Sequence, residues 1–302
     1  MKKIGFLFLL LSLAFHAQNN RFMYDYKFAK DINKKDTLKS ELMYLDVTKE
    51  GSTFYSHEKM VQDSTMKAEI QKQITMGSGN INVKKSFNNR SSVNFSVDKV
   101  YPNFETKLHT SIGNNRFILN STPEMQWKIL PEKEKIGEYN VQKATTDFGG
   151  RIWFAWFTTE IPIQDGPYKF SGLPGLILKM EDQTKTHIFT FVGSKKLQTQ
   201  KSDEKTDDEI SAGPGSGIVM IGGSGGKELP ISEEKFKQLW KEYENDPVKD
   251  MRQMLGSGNV KLKLNVNGKE MEDSGQILRE MEAMQKEAIK SDNNKLEPAL
   301  YK

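Results

Sequence analysis

Alternating hydrophobic and polar residues fill most of the first two thirds of the chain, and this period of two predicts β-strands. In the first of them, residues 22–28, aromatic side chains occupy every second position. A hairpin is predicted at residues 41–47 and 52–55, and a helix of weak period at residues 57–74. Eight further strands are predicted at residues 93–97, 106–112, 116–119, 126–130, 140–148, 151–158, 176–180 and 187–192. Short turns join them, which favours an antiparallel meander over alternating βαβ units.

The pattern changes after residue 197. Residues 198–227 are charged and then glycine-rich, which predicts a flexible loop. The elements predicted beyond it are a helix capped by Ser232, a helix that starts at Asp246, a strand at residues 260–266, and a last helix with Ile277, Met281 and Met284 on its apolar side. We therefore predict an α+β fold. A β-rich domain occupies residues 18–197, and the helical part at residues 228–302 packs on the same sheet.

The chain opens with a segment typical of a cleavable secretory signal. Lys2 and Lys3 precede an apolar run, residues 4–15, which is shorter than the roughly 20 residues of a helix that spans a bilayer. We predict a signal peptide at residues 1–17 with cleavage near Ala17, and export of the remainder to the periplasm or beyond. No later stretch of the sequence has the length and apolar character of a transmembrane segment.

The composition narrows the class of protein further. The sequence contains no cysteine, which excludes a disulfide framework and the lipid-modified cysteine of a bacterial lipoprotein. The formal net charge is +4, and it becomes +2 when the two lysines of the signal are removed. Because acidic and basic residues are interspersed, we expect no nucleic-acid partner.

The most distinctive segment of the sequence follows the predicted strand at residues 151–158. A loop rich in proline and glycine leads from Ile161-Pro162 into a continuous apolar run at residues 176–178, which is typical of a fully buried strand. Its glycines permit backbone angles and close contacts that a Cβ atom prevents.

This segment resembles the GLPGLI family of exported bacterial proteins. The hexapeptide that names the family stands here at residues 172–177, preceded by Trp153, Trp156 and the tripeptide at residues 165–167. The resemblance implies export, an origin in the Bacteroidetes and a domain that reaches about Val192. It implies no activity, because the family has no established one.

A looser likeness, of fold alone, is to carriers of envelope lipoproteins. Those proteins are curved antiparallel half-barrels, closed by helices, whose concave side holds acyl chains. This likeness implies a curved, half-barrel-like sheet here, and as an analogy of fold it assigns no function.

Two interpretations of the GLPGLI loop are open. In the first, the loop is a buried turn that folding requires. In the second, the loop and two tryptophans form the rim of an apolar pocket that captures a ligand or a partner. The predicted binding residues are Trp153, Trp156, Asp165, Gly172, Leu173, Pro174, Gly175 and Leu176.

No catalytic residue, metal site or cofactor is predicted. His57 begins like a zinc-protease helix, but Val61 stands at the position of the second ligand. The glycine-rich run before Lys227 is no phosphate-binding loop, because Glu228 replaces the required serine or threonine. Four acids flank the GLPGLI segment and can perform acid–base chemistry if the fold gathers them in one cleft; they are Asp147, Glu160, Asp165 and Asp182.

Our leading hypothesis is a non-catalytic exported protein that binds an apolar ligand or an envelope protein on its sheet. The first alternative is a hydrolase of an envelope polymer that uses the acids near the GLPGLI loop. The second alternative is a structural or interaction protein of the outer envelope.

Overall fold

The computed structural model describes residues 19–75, 91–197, 227–256, 264–266, 269–271 and 273–302. Within these residues, twelve strands form one sheet. They are β1 Asn20–Phe28, β2 Lys39–Val47, β3 Gly51–Ser56, β4 Ser96–Val100, β5 Glu105–Ile112, β6 Asn115–Ser121, β7 Lys128–Ile136, β8 Tyr139–Phe148, β9 Arg151–Thr158, β10 Leu176–Asp182, β11 His187–Lys196 and β12 Leu229–Ile231. The predicted signal peptide and residues 198–226 of the predicted loop lie outside the described residues.

Four α-helices and a short 3₁₀ helix accompany the sheet in the described part of the chain. They are α1 His57–Thr75, α2 Glu233–Asn245, α3 Lys249–Gly256, α4 Ser274–Ser291 and the 3₁₀ helix Pro298–Tyr301. Two further strands, β13 Leu264–Val266 and β14 Lys269–Met271, pair with each other. Among the described helices, none combines the length and the apolar character that a bilayer crossing requires.

The strands of the sheet lie in the order β12-β6-β5-β4-β3-β2-β1-β11-β10-β9-β8-β7. All neighbours are antiparallel except β12, which runs parallel to β6. The prediction of a mainly antiparallel, β-rich fold is therefore confirmed. The connectivity is not that of a single meander. Strands β1 to β6 form a first meander, β7 to β11 form a second, and the pairing of β1 with β11 joins the two.

The strand β1 lies near the centre of the sheet, and its aromatic face is buried. Its even-numbered residues from Phe22 to Phe28 face the core, while the intervening residues are more exposed. Tyr26 stacks between Phe28 and Phe189, with ring centroids 4.6 and 4.1 Å apart. Because alternate side chains of a strand point to the same face, the period of two places these aromatic residues together on one side of the hydrophobic core.

Several elements differ from their predicted bounds, and three of them are instructive. The strand predicted at residues 93–97 lies at Ser96–Val100. The strand predicted at residues 126–130 extends to Ile136, because β7 is an edge strand whose residues are mostly exposed and carry no alternating pattern. The three-residue strand β12 contains Pro230 and was missed, since a parallel edge strand of this length leaves no periodic signal.

The helix α2 contacts the sheet through its apolar face. Its N-terminus is capped as predicted, because the backbone N–H of Lys235 donates to Oγ of Ser232 at 3.2 Å. Phe236 packs edge-on against Phe117 of β6, with ring centroids 6.4 Å apart. Trp240 packs against Tyr301 of the 3₁₀ helix at 4.9 Å.

Candidate functional site

The loop between β9 and β10, residues 159–175, packs against the inner face of the sheet. Phe170 is fully buried and lies edge-on to Trp153, with ring centroids 4.9 Å apart. Gly175 is required at the end of the loop, because a Cβ there would lie 1.9 Å from the carbonyl oxygen of Thr158. The GLPGLI loop is therefore built around a backbone contact that only glycine permits.

Six of the eight predicted binding residues are buried in this packing, and Gly172 and Pro174 are exposed. Trp153 is 1% exposed, and its Nε1 donates to the carbonyl oxygen of Phe148 at 3.1 Å. Trp156 is 7% exposed, and the ammonium of Lys179 lies 4.2 Å from its ring centroid. This burial favours the interpretation of the segment as a buried turn. The rim of a pocket at this loop stays a prediction.

Asp165 lies at the centre of a buried polar network that fastens the loop to β3 and β4. Its carboxylate forms an ion pair with Lys99, and both side chains are 0% exposed. Ser52 donates to Oδ2 of Asp165 at 2.6 Å, and the hydroxyl of Tyr101 donates to the same oxygen. The Lys99 ammonium also donates to the carbonyl oxygen of Gly166 at 2.7 Å.

The hydrogen bonds of this network provide partners for both charged groups of the ion pair, the Lys99 ammonium and the Asp165 carboxylate. Burial lowers the pKa of the Lys99 ammonium, and the Asp165 carboxylate opposes that effect. Burial, followed by the charge of Asp165, raises the pKa of the Tyr101 hydroxyl. Because the carboxylate is inaccessible to solvent and fully engaged, Asp165 serves to position the loop.

A second buried ion pair ties the loop to the C-terminus. Lys169 Nζ lies 2.8 Å from Oε2 of Glu297, and the hydroxyl of Tyr168 donates to the same oxygen at 2.7 Å. Tyr168 has a positive φ of 56°, a left-handed conformation that is uncommon for a tyrosine. The two hydrogen bonds to Glu297 hold the loop in this conformation.

A third buried network surrounds His187 at the start of β11. Nδ1 of His187 lies 2.8 Å from the hydroxyl of Tyr26, and Nε2 lies 3.1 Å from the carbonyl oxygen of Asn294. Arg151 bridges Asp182, at 3.0 Å, and the side-chain oxygen of Asn294, at 2.6 Å. Burial, followed by the charge of Arg151, lowers the pKa of His187 well below its ordinary value, so the imidazole is neutral at pH 7.

A cavity of about 540 Å³ lies between the sheet and the C-terminal helices. This volume falls within the range of small-molecule sites, about 300–1,000 Å³. The sheet side of its wall combines polar residues, such as Ser92, Asn94, Ser111 and Asn115, with the apolar and aromatic residues Tyr26, Phe28, Val93, Phe95, Leu108, Ile112 and Phe117. The helical side includes Leu239, Trp240, Tyr243, Met281, Ala288, Ile289 and Tyr301. The cavity is therefore large enough for a small molecule, and it offers that molecule both apolar and polar contacts.

Charged groups gather at one side of this cavity. Asp292 is paired with Lys295, whose Nζ lies 2.6 Å from its carboxylate, and Glu297 is held by the loop as described above. Lys30, which follows β1, lines the same side and is half-buried. Among the described residues, its ammonium has neither a hydrogen-bond nor an ion-pair partner.

The four acids of the hydrolase hypothesis do not share a hydrogen-bond partner. Asp165 and Asp182 are buried in separate networks, and Asp147 is exposed. Glu160 is exposed and accepts from the backbone and side chain of Asn140, which lowers its pKa. This arrangement gives no support to a common catalytic cleft.

The histidines also lie apart. His57 packs on Tyr44, His109 lies between Asp98 and Glu228, and His187 is buried as described above. In the ranges that the structure describes, no three histidine or acidic side chains are grouped so as to hold a metal ion.

Sequence reasoning missed the residues that dominate these networks. Lys99 had a detectable signal, because it shares the inward face of β4 with Val97, where a charged side chain is unusual. Glu297 and Lys30 had none, since each lies in an irregular segment beside a regular element. Their importance arises from contacts with residues distant in sequence.

Comparisons with known proteins give little more than the sequence motif. A family model described as "Protein of unknown function (Porph_ging)" matches residues 151–179, which covers β9, the GLPGLI loop and most of β10. No curated protein matches the chain.

Two solved structures of PNGF-II, in the P21 and C2 space groups, are similar to 74% of this chain. Their sequence identities are 13% and 14%, with TM-scores of 0.46 and 0.45. The chain spans about a third of their length, 33% and 32%. A likeness at this level carries no argument about fold or function.

Proposed function

We propose that this protein is a ligand-binding protein, and that the cavity between the sheet and the C-terminal helices holds an apolar small molecule. The observation that carries the proposal is the cavity itself, about 540 Å³ in volume and lined on two sides by aromatic and aliphatic side chains. Small-molecule sites combine apolar walls with polar groups that orient the ligand. Polar and charged residues, Lys30, Asn94 and Asp292 among them, share the wall of this cavity. None of the four acids of the hydrolase hypothesis lines this cavity.

We also propose that the sheet is curved and half-barrel-like around this cavity. The strands β6 and β7 stand ten positions apart in the sheet order. In a flat sheet with a spacing of about 4.8 Å, they would be separated by roughly 48 Å. The seven Cα–Cα steps from Ser121 to Lys128 extend over at most about 25 Å. This difference supports a strong curvature. The contact between Tyr139 of β8 and Phe191 of β11, at 6.0 Å, supports it further.

The cellular setting is part of the proposal. We infer an exported member of the GLPGLI family, which carries a signal peptide at residues 1–17 and one β-rich domain with the helical part packed on it. The hexapeptide and the N-terminal sequence support this inference. Fractionation of the native host, with the intact mass of the mature chain, tests it. A chain that retains its first 17 residues in the cytoplasm would contradict export.

Extraction of the purified protein tests the binding role. Residues 18–302 are purified from the native host, extracted with organic solvent, and the extract is analysed by mass spectrometry. We expect a reproducible apolar compound in near-stoichiometric amount. The absence of any enriched compound in independent preparations would contradict the proposal.

Two alanines of α4 provide a matched pair of variants. Both are exposed, but Ala288 lines the cavity and Ala283 does not. Ala288→Trp adds an indole to the cavity wall and is expected to abolish the bound compound. Ala283→Trp adds the same side chain to the solvent-exposed side and is expected to leave it unchanged. Equal loss in both variants would indicate a general effect on the helix.

A further inference from the structure

Lys30 lines the cavity, and its ammonium has no hydrogen-bond or ion-pair partner among the described residues. It follows the end of β1, and its carbonyl oxygen accepts from the backbone N–H of Asn294 at 3.0 Å. The backbone is therefore fixed while the ammonium points to no acceptor among the described residues. A half-buried charge without a partner is costly, since burial disfavours the charged form. A ligand with an acidic group would supply the missing partner.

The charged neighbours of Lys30 do not neutralise it. Burial lowers the pKa of its ammonium, and the charges of Lys39 and Lys295 lower it further. The nearby carboxylates act in the opposite direction but have other partners: Asp292 is paired with Lys295 at 2.6 Å. Glu41 is occupied by hydrogen bonds from serine hydroxyls and from two backbone N–H groups. One positive charge is consequently left over at this side of the cavity.

Apolar side chains also line the cavity, alongside the charged groups on the side of Lys30. Phe28, two residues before Lys30, is buried and lines the cavity, and Phe95 also lines it. Tyr26 is also buried there, and its hydroxyl is already paired with His187. A ligand that satisfies both features needs one acidic group and an apolar body.

We propose that the cavity binds an amphipathic carboxylate, with its acid group on Lys30 and its apolar body against Phe28 and Phe95. This inference rests on the proposed binding function and specifies the class of ligand. One unpaired ammonium matches a single negative charge. A doubly charged phosphate monoester is a poorer match, because no arginine of the described ranges lines the cavity to form a bidentate pair.

Octanoate and 1-octanol test this assignment by isothermal titration at pH 7.5, because they share a chain and differ in charge. We expect the wild-type protein to bind octanoate about 10- to 100-fold more tightly than 1-octanol, the effect of a hydrogen-bonded ion pair. Lys30→Met keeps the length of the side chain and is expected to remove this preference while still binding the alcohol. The control is Lys27→Met on the preceding strand β1, because Lys27 is exposed and does not line the cavity.

The outcomes separate the two proposals. If wild type binds the alcohol but does not prefer octanoate, the carboxylate assignment is wrong and the binding function stands. If the preference persists in Lys30→Met, Lys30 is not the acid-binding group. If neither compound binds, the apolar binding function fails together with this inference. Thermal unfolding of Lys30→Met serves as the check on folding, and we expect no loss of stability because no native hydrogen bond of the side chain is removed.

Discussion

Removal of the Lys99 ammonium is the sharpest test of how the GLPGLI loop is held. In Lys99→Met the side-chain length is retained, so little cavity forms, but Asp165 loses its buried counter-ion. The carbonyl oxygen of Gly166 also loses its donor. Breaking one side of a buried ion pair costs about 3–5 kcal/mol. That is a large fraction of a typical stability of about 5–15 kcal/mol.

The measurement is urea-induced unfolding of wild type and variant at pH 7. Lys107→Met is the matched control: Lys107 is exposed on the neighbouring strand β5, and we expect a change within about 0.5 kcal/mol. The double variant Lys99→Met with Asp165→Asn is expected to cost less than the sum of the single variants, because it leaves no unpaired charge. A Lys99→Met stability within 0.5 kcal/mol of wild type would refute the reasoning.

Two further predictions concern the packing of the loop and the acid sensitivity of the core. Gly175→Ala is expected to destabilise the protein by more than about 3 kcal/mol, because its Cβ would overlap the carbonyl oxygen of Thr158. The control Gly137→Ala has nothing within 4 Å of the added Cβ and is expected to cost only about 1 kcal/mol, for its positive φ. Equal losses of stability in urea unfolding would contradict this prediction. The pKa of His187 is lowered by burial and by Arg151, so the unfolded chain binds its proton first as the pH falls. The free energy of unfolding is therefore expected to decrease below about pH 6.5 by up to 1.4 kcal/mol per pH unit. If His187→Gln shows the same dependence of stability on pH as wild type, the loss of stability does not originate from His187.

The fold was largely predictable wherever burial alternates along the chain. In β1 every second side chain is aromatic and buried, so local sequence determines both the strand and its inward face. In β7 the residues are mostly exposed, so nothing in the sequence marks its full length. The joining of the two meanders through β1 and β11 depends on a pairing across about 170 residues, which no local pattern contains.

The candidate site was much less predictable. The sequence singled out the GLPGLI loop for its aromatic, proline and glycine residues, and those features describe how the loop packs. The cavity instead arises where the helical part of the chain meets β1 and β5, so it depends on contacts distant in sequence. Lys30 cannot be distinguished from other lysines until its neighbours are known. Lys99 can, because its inward position within a strand is visible in the alternating pattern.

Native mass spectrometry of the intact protein tests the central claim, the occupancy of the cavity, most directly. The protein is purified from its host without detergent and measured before and after denaturation. We predict a single adduct on the folded wild type and on Ala283→Trp, its loss on unfolding, and its absence from Ala288→Trp. A folded wild-type protein without an adduct, or one that keeps the same adduct in Ala288→Trp, would contradict a ligand-binding cavity at this position.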